Sequence, residues 1–218
     1  MITITSDKDR TQLKEHALEL INRADFEGLI ILIEVLDERN FPIPYINSFL
    51  AHAAKNGHLK IVKHLVANGA DIHEDFERPL RFATLKGHLE IVKYLIEQGS
   101  DMHIQNDYIL RGAAEYGHLE VVKYLVEHGA DVNTITELPL GFAARNGHLE
   151  VVVFLIEHGA KINRFNDTVL RWAINNGHLN VLKYLIEKGA SITHARKLES
   201  LARQRGHIEM ADYLKGLA

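Results

Sequence analysis

The dipeptide Gly-His recurs along this chain at an almost constant interval, and this period constrains the fold more than any other feature. It occurs at 57/58, 87/88, 117/118, 147/148, 177/178 and 206/207, so that successive copies lie 30, 30, 30, 30 and 29 residues apart. A weaker copy that begins at Ala24, "ADFEGLIILIE", lies 33 residues before Gly57. A fixed period of this length is the signature of a repeat architecture. The sequence therefore predicts about seven units, with a degraded first unit and a degraded last one.

Each unit carries two helical patterns, and the unit from Leu138 shows them clearly. Three apolar residues at i, i+3 and i+4 mark one face of a short first helix: Leu140, Ala143 and Ala144. Four more, at i, i+3, i+6 and i+7, mark the buried face of a second helix: Leu149, Val152, Leu155 and Ile156. Gly147 and Gly159 are expected to end these helices in the left-handed conformation. Each unit is thus predicted to be helix, turn, helix and loop.

The same apolar residue types return at equivalent positions, which indicates that the units stack. Leucine recurs in the first helix at 50, 80, 110, 140 and 170 and in the second at 65, 95, 125, 155 and 185. Alanine recurs at 53, 83, 113, 143 and 173, as expected where helices approach too closely for a larger side chain. One unit cannot bury its apolar face alone. The predicted fold class is all-α, a solenoid of stacked helix-turn-helix units.

The segment "YGHLEVVKYLVEHGADVN" at 116–133 and its copies resemble the ankyrin repeat. The resemblance covers residues 11 to 218 and implies a curved stack of helix pairs with projecting loops that holds another protein without catalysis. The period of 30 residues is shorter than the usual 33 of that family, so short loops are expected. Repeats of this short kind resemble those of large DNA viruses, and similar arrays occur in intracellular bacteria.

The ends of the chain differ from the regular repeats. We expect one domain over residues 1–218, with an N-terminal capping repeat at 1–40, five 30-residue repeats at 41–193 and a C-terminal capping repeat at 194–218. Polar stretches at both ends, "DKDRTQLKEHALELINR" and "HARKLESLARQRGH", resemble the capping units that hide the terminal apolar faces of a solenoid. The expectation is a self-contained array that is a monomer.

Composition excludes several classes of function. A net charge of -4 and a pI near 6.4 argue against a nucleic-acid-binding surface. The 218 residues contain no cysteine, which excludes disulfides, thiolate metal sites and cysteine nucleophiles and fits a reducing compartment. The longest apolar run, "GLIILIEVL", is too short for a membrane helix, and the N-terminal segment lacks a signal-peptide core. We therefore expect a cytoplasmic protein, or one in the host cytosol if it comes from a virus or an intracellular bacterium, with no membrane partner.

The 14 histidines do not predict a metal site. Six of them belong to the Gly-His period, and stacked helix pairs are separated by about 10 Å. A zinc ion needs ligands at about 2.1 Å, so a ladder at repeat spacing cannot converge on one ion. No Gly-rich phosphate loop and no nucleophile elbow occurs, and the recurring acids are expected on solvated helix surfaces. No catalytic residue, cofactor or metal is predicted.

A second ladder consists of Arg81, Arg111 and Arg171, and it has two interpretations. It could form a basic groove for an acidic partner. Alternatively, each arginine could pair with the acid four residues upstream, Glu77, Asp107 or Asp167, since side chains at i and i+4 meet on a helix. The local pair is favoured, and it would replace a Thr-to-His hydrogen bond of the ankyrin family. Five donors on each guanidinium allow both interpretations to hold.

Asn133 occupies the exit of a second helix, at the position of His73, His103, Asn163 and Thr193. In the ankyrin family this asparagine ties the loop, and this structural role is favoured here. The same position resembles the target of an asparaginyl hydroxylase, which prefers a leucine eight residues earlier and an acid two residues earlier. Leu125 and Asp131 meet both preferences, so Asn133 is a candidate for hydroxylation.

Function is expected where the copies disagree, because the constant positions build the frame. The copies vary most at the end of the first helix and in the loops, the two regions that line the concave groove and its rim in the ankyrin family. The predicted partner-binding residues are Phe76, Arg81, Leu85, Lys86, Tyr108, Arg111, Glu115, Tyr116, Ile135, Arg145, Phe165, Arg171 and Asn175. Phe76 and Phe165 are the first candidates for exposed anchors. Trp172 is expected mainly to fill space between helices.

The favoured function is therefore a non-catalytic module that binds a partner protein or peptide as an adaptor, effector or inhibitor. A structural or self-associating scaffold is the first alternative. An enzyme of unrecognised type is the second, and repeat spacing disfavours it because titratable groups are spread apart.

Overall fold

The computed structural model describes residues 7–37, 43–134, 138–163 and 167–217, and side chains are described from residue 11 onward except at 35–37, 43, 44 and 106. This part of the chain contains fourteen helices and no strand. The chain divides into two compact units, residues 1–101 and 102–218. The predicted all-α class and the predicted helix pairs are confirmed.

The first unit contains three helix pairs. Its helices are α1 (Asp7–Asn22), α2 (Phe26–Asp37), α3 (Ile43–Asn56), α4 (Leu59–Ala67), α5 (Glu74–Leu85) and α6 (Leu89–Glu97). The first helices of successive pairs pack side by side, α1 on α3 and α3 on α5, and α4 packs on α6. First helices and second helices therefore form separate layers in this unit.

The second unit contains four pairs. Its helices are α7 (Ile104–Glu115), α8 (Leu119–Glu127), α9 (Pro139–Asn146), α10 (Leu149–Glu157), α11 (Thr168–Asn175), α12 (Leu179–Glu187), α13 (Ala195–Gln204) and α14 (Ile208–Lys215). In one layer α7 packs on α9, α9 on α11 and α11 on α13, while α10 packs on both α8 and α12 in the other. The last pair, α13 and α14, contact each other closely.

The ladders predicted from the sequence form the cores of both units. All five alanines of the first helices and all five leucines of the second are completely buried. The predicted face of the second helix was partly wrong, since Val151 is buried beside Val152 and Leu155 while Leu149 and Ile156 are only half-buried. The face is rotated because the second helix packs against its own first helix and against its neighbours in the stack at once.

The glycine of the Gly-His turn is left-handed in every described copy, and Gly57 illustrates its contact with the histidine of the next repeat. Gly57 has φ +82°, the left-handed conformation that favours glycine. The ring of His88, one repeat later, lies where a side chain on Gly57 would be, 2.7 Å from an ideal Cβ. His88 Nε2 donates a hydrogen bond to the carbonyl of Lys55 at 3.0 Å. The histidine therefore fastens its repeat to the preceding one, which confirms a structural role for it.

The loops that precede α5 and α7 differ from the prediction. Segments 74–78 and 104–108 follow second helices, where the helix, turn, helix and loop pattern predicts loops, but α5 begins at Glu74 and α7 at Ile104. The first turn of α5 is distorted, with left-handed backbone at Asp75, Phe76 and Glu77 (φ 48°, 54° and 59°). In α7 the corresponding left-handed residues are Gln105 and Asp107.

Candidate functional site

Phe76 is exposed in the distorted first turn of α5, in the first unit. Its side chain is 64% exposed, the highest value among the large apolar side chains that the structure describes. It lies between Asp75 and Glu77 in the left-handed first turn of α5, a conformation that costs a non-glycine residue free energy. The sequence prediction of an exposed phenylalanine at this position is confirmed, and the distorted turn is what holds the ring away from the core.

Three sets of contacts fix the turn around Phe76. The Nδ1 atom of His73 lies 2.6 Å from the buried carboxylate of Glu77. A terminal nitrogen of Arg78 lies 2.6 Å from a carboxylate oxygen of Asp75. Arg81 donates to the backbone carbonyls of Asp75 and Phe76 at 3.0 and 3.3 Å. These contacts hold the turn in one conformation, and we call residues 73–81 the Phe76 loop.

The predicted pair between Glu77 and Arg81 is therefore wrong. The carboxylate of Glu77 pairs with His73, which lies four residues upstream of it, and Arg81 uses its donors on main-chain oxygens instead. The left-handed turn explains the difference, because it aims the Glu77 side chain toward the core while the carbonyls of the turn point at Arg81. Sequence reasoning missed this His–acid pair, although its i, i+4 spacing is visible.

The second unit repeats this pair at His103 and Asp107. His103 Nδ1 lies 2.7 Å from a carboxylate oxygen of Asp107, which is buried, and the other oxygen accepts a hydrogen bond from the Asp131 backbone nitrogen at 3.2 Å. The predicted pair between Asp107 and Arg111 is wrong for the same reason as in the first unit. The Arg111 guanidinium instead lies 4.2 Å from the ring centre of Tyr108.

Arg111 and Tyr108 join an aromatic cluster on the first-helix layer of the second unit. The guanidinium of Arg111 also lies 5.0 Å from the ring centre of Phe142, and Phe142 in turn lies 5.4 Å from Trp172. An ideal Cβ on Gly141 would lie 2.6 Å from the Trp172 ring. Trp172 therefore fills space between helices, as predicted, and leaves no room for a third consecutive arginine in the ladder.

Arg171 does not form the predicted pair with Asp167 either. The contact between the two residues is main-chain, from the Arg171 nitrogen to the Asp167 oxygen at 2.9 Å. The Arg171 side chain is exposed and makes no ion pair or hydrogen bond with the described residues. Arg171 thus differs from Arg81, which bonds two backbone carbonyls, and from Arg111, which contacts two aromatic rings.

A groove lies between α11 and α13, which we call the α11–α13 groove. It is a cavity of about 300 Å³ lined by Asp167 and Arg171 on one side and by Lys197, Ser200, Leu201 and Gln204 on the other. Beside it, Arg205 Nε donates to the side-chain oxygen of Asn175 at 3.1 Å. Sequence reasoning named Arg171 and Asn175 but missed the α13 residues, because the last repeat was read only as a cap.

The remaining predicted rim residues lie on the surface in different degrees. Lys86 and Arg145 are exposed, whereas Leu85 and Glu115 are half-buried. Tyr116 is 55% exposed and its ring lies parallel to that of His118, 6.4 Å away. Ile135 and Phe165 lie outside the described residues, as does Glu137.

Asn133 ties its loop to the following repeat, as predicted for a structural role. Its amide nitrogen donates to the carbonyl of Gly159 at 2.9 Å, and its amide oxygen accepts from the backbone nitrogen of Lys161 at 2.9 Å. Asn163 makes the equivalent bonds to Gly189 and Ser191 at 2.9 and 2.8 Å. The hydroxylation of Asn133 stays a prediction.

The described residues offer neither a metal-binding cluster nor a helix that could span a membrane. They contain no group of three His, Asp or Glu side chains arranged to hold a metal ion. None of the helices in the described ranges has both the length and the apolar character required to cross a bilayer. Titratable side chains in the described part of the chain do come together as ion pairs, both at the loops, as in His73 with Glu77, and on the helices, as in Arg203 with Glu199.

Comparison with known proteins agrees with this architecture. The family model for ankyrin repeats (3 copies) matches residues 50–136 and 110–196. No curated protein matches the chain. The family generally consists of protein–protein interaction modules and is typically non-enzymatic. The matched residues extend over more than half of the chain and coincide with its regular helix pairs, and the chain belongs to the ankyrin-repeat family.

Proposed function

We propose that this chain is a non-catalytic binding module that holds a partner protein or peptide through its loops and first-helix surfaces. It acts in the cytoplasm as a monomer that recruits or blocks its partner. The lack of cysteine supports a reducing compartment, and the short repeats support an origin in a large DNA virus or an intracellular bacterium. One observation carries the proposal most directly, the exposed Phe76 in its braced loop.

Phe76 is costly for the isolated protein in two ways. Its ring is mostly in water, although burying a phenylalanine side chain is worth about 1.5–3 kcal/mol. Its backbone, together with that of Asp75 and Glu77, is left-handed, and sparsely populated conformations cost about 1–3 kcal/mol each. Strain of this kind clusters at ligand clamps, where the surrounding contacts impose it.

The bracing of the loop supports a binding role for Phe76. Arg81 bonds the two carbonyls that flank the ring, and the His73–Glu77 and Arg78–Asp75 pairs hold the turn on either side. A partner that covers the ring gains its apolar area without the cost of ordering the loop, because the loop is already ordered. Aromatic residues with this preorganisation are typical anchors of protein interfaces.

The second unit offers aromatic and cationic groups of the same kind. Tyr116 is more than half exposed, and Arg111 lies between the rings of Tyr108 and Phe142. Tyrosine, tryptophan and arginine are the residue types enriched at interface hot spots. We include these residues among the proposed partner-binding residues, with Arg145, Arg171 and Asn175 of the second unit. Lys86 is included separately, as a residue of the first unit.

The test compares Phe76→Ala with Ile31→Ala, a matched control in the first unit. Ile31 lies on α2 and is 63% exposed, almost the same fraction as Phe76, but its backbone is helical. Both variants and the wild type would be used to capture partners from cell lysate, followed by titration calorimetry with each purified partner. Loss of an interface anchor costs at least 2 kcal/mol, so we expect Phe76→Ala to weaken binding about 30-fold or more.

Ile31→Ala is expected to bind like the wild type. Equal affinities for wild type and Phe76→Ala would show that the Phe76 loop is not the binding site. Steady turnover of a substrate by the purified chain would contradict the non-catalytic part of the proposal.

A further inference from the structure

We propose that the α11–α13 groove of the second unit binds an extended acidic segment of the partner. This inference rests on the proposed function and names the chemistry of one part of the partner.

Uncompensated positive charge borders the groove on both sides. Arg171 on α11 and Lys197 on α13 are exposed, and neither side chain makes an ion pair or hydrogen bond with the described residues. Arg205 bonds Asn175 through Nε alone, which leaves its terminal nitrogens available. Arg171 and Asn175 are one turn apart on α11, so all three cations lie near one face of that helix.

Few acids oppose these cations. Asp167 lines the groove and is half-buried. Glu199, on α13, is already engaged by Arg203 Nε at 3.1 Å, and the same guanidinium contacts Asp212 at 2.9 Å. Among the described residues at the groove, three cations thus face one unengaged carboxylate, and a carboxylate of a partner would find bidentate donors in Arg171 and Arg205.

The opposite layer of the second unit has the reverse charge. Helices α8, α10, α12 and α14 carry seven acids, Glu120, Glu127, Glu150, Glu157, Glu187, Glu209 and Asp212, against three lysines, Lys123, Lys183 and Lys215. One of these lysines, Lys123, is engaged by Glu120 at 2.7 Å. An acidic segment is repelled from that layer and attracted to the first-helix layer, so the unit selects the face on which it binds.

The size and floor of the groove fit an extended peptide. Leu201 on the floor is half-buried and offers an apolar contact, while Ser200 and Gln204 can bond a peptide backbone. Neighbouring helices lie about 10 Å apart, and an extended chain advances about 3.3 Å per residue. A segment that crosses from α11 to α13 therefore advances about three residues. Acids spaced two or four residues apart bracket this distance and come near Arg171 and Lys197.

The test uses a fluorescein-labelled peptide of sequence GDLEGDLEG, with GKLKGKLKG as the basic counterpart, in fluorescence anisotropy titrations of the full chain. We expect only the acidic peptide to bind, with an affinity that falls as salt increases. The double variant Arg171→Ala/Lys197→Ala is expected to lose about tenfold or more in affinity. Asp167→Asn is expected to tighten binding about twofold to threefold, because it removes the opposing carboxylate.

The matched control is Lys123→Ala/Lys183→Ala, which removes the same charge from the acidic layer of the same unit. It is expected to bind like the wild type. Thermal melting curves followed by circular dichroism should differ little between the two double variants, because Arg171, Lys197 and Lys183 are exposed and the surface pair of Lys123 with Glu120 is worth only about 0–1 kcal/mol. No binding by the wild type at millimolar peptide, or equal losses in both double variants, overturns the proposal. Tighter binding of a single-stranded oligonucleotide of matched charge also overturns it, because the groove would then recognise nucleic acid.

These experiments distinguish a failure of the acidic-segment proposal from a failure of the proposed binding function. Phe76→Ala is expected to keep its full affinity for GDLEGDLEG, since Phe76 belongs to the first unit. Loss of groove binding with retention of a Phe76-dependent partner would leave the binding function intact and remove only the acidic segment.

Discussion

The two ends of each repeat hold neighbouring repeats together by different means. At one end the Gly-His turn repeats almost unchanged, and His88 and His148 each bond a carbonyl of the preceding repeat, that of Lys55 and that of Glu115. At the other end the loops use either a His–acid pair or an asparagine amide. The Gly-His end only joins one repeat to the next. The loop end stabilises the packing of the repeats and also exposes side chains to solvent.

The loops themselves fall into two classes. In the histidine loops, His73 and His103 pair with a buried acid of their own loop. In the asparagine loops, Asn133 and Asn163 reach forward and bond two main-chain groups of the next repeat. An asparagine loop is therefore a link between repeats made by an amide that does not titrate. A histidine loop is held by an imidazole and a carboxylate, and in the His103 loop this carboxylate also accepts a hydrogen bond from the Asp131 backbone nitrogen of the next repeat.

The largest expected loss of stability comes from a substitution in the Gly-His turn, at Gly57. We compare it with the same substitution at Gly69, the glycine that follows the second helix of the same repeat. Gly57→Ala and Gly69→Ala both place a Cβ on a left-handed backbone (φ +82° and +84°), which costs about 1–2 kcal/mol. Only Gly57→Ala also displaces the His88 ring and its hydrogen bond to Lys55, because nothing lies within 4 Å of a Cβ on Gly69. We expect Gly57→Ala to lower the free energy of unfolding by about 2–4 kcal/mol in total.

Urea denaturation followed by circular dichroism measures both variants. Gly69→Ala serves as the control and is expected to cost only its backbone strain. Equal losses for the two would show that His88 moves aside freely and that the Gly-His turn is not a fastening point.

A smaller effect is expected from an asparagine loop. Asn163→Ala removes the bonds to Gly189 and Ser191, and water replaces them only in part, so the expected loss is about 1–2 kcal/mol. Asn176→Ala is the matched control, because Asn176 is an exposed asparagine whose amide bonds only the Trp172 carbonyl in its own helix. Its loss is expected to stay below about 0.5 kcal/mol. Similar losses in thermal melts of the two variants would contradict the forward link.

The frame was predictable from the sequence because its period is explicit. The alanine and leucine ladders and the left-handed glycines follow from spacing alone, and the structure confirms them. The partners of the loop side chains were not predictable in the same way. The i, i+4 rule offered Glu77 both His73 and Arg81, and the left-handed turn at Asp75–Glu77, which decides between them, has no signal in a run of non-glycine residues.

The interruption of the arginine ladder shows a second limit. Gly141 stands where Arg81, Arg111 and Arg171 have their equivalents, and the sequence gives no reason for it. The structure does, since the Trp172 ring of the next repeat occupies the space of any side chain at Gly141. A comparison of equivalent positions in the repeats cannot predict this contact, because Gly141 and Trp172 do not occupy equivalent positions. Such a contact is found only from the structure.

The smallest expected effect is a pH dependence of stability. It distinguishes His73, in a histidine loop, from His58, in a Gly-His turn, because their pKa values are shifted in opposite directions. The hydrogen bond to the Glu77 carboxylate raises the pKa of His73 above its ordinary 6.5, and the nearby Asp71 and Asp101 act in the same direction. Burial lowers the pKa of the frame residue His58, and so does the charge of His88. Because the folded pKa of His73 is raised, its stabilising contribution is complete below about pH 6.5 and is lost as the pH rises through the folded pKa.

Two measurements check this assignment. Titration of the imidazole resonances by NMR should give His73 a higher pKa than His58. The difference in unfolding free energy between the wild type and His73→Asn should shrink as the pH rises from acidic to alkaline, by less than about 1 kcal/mol because the ring of His73 is largely exposed. Taking the difference cancels the contribution of His58, whose lowered pKa changes stability with the opposite sign. A difference that is constant with pH, or that grows as the pH rises, would mean that the His73–Glu77 pair does not carry charge and that the two classes of loop do not differ in their response to pH.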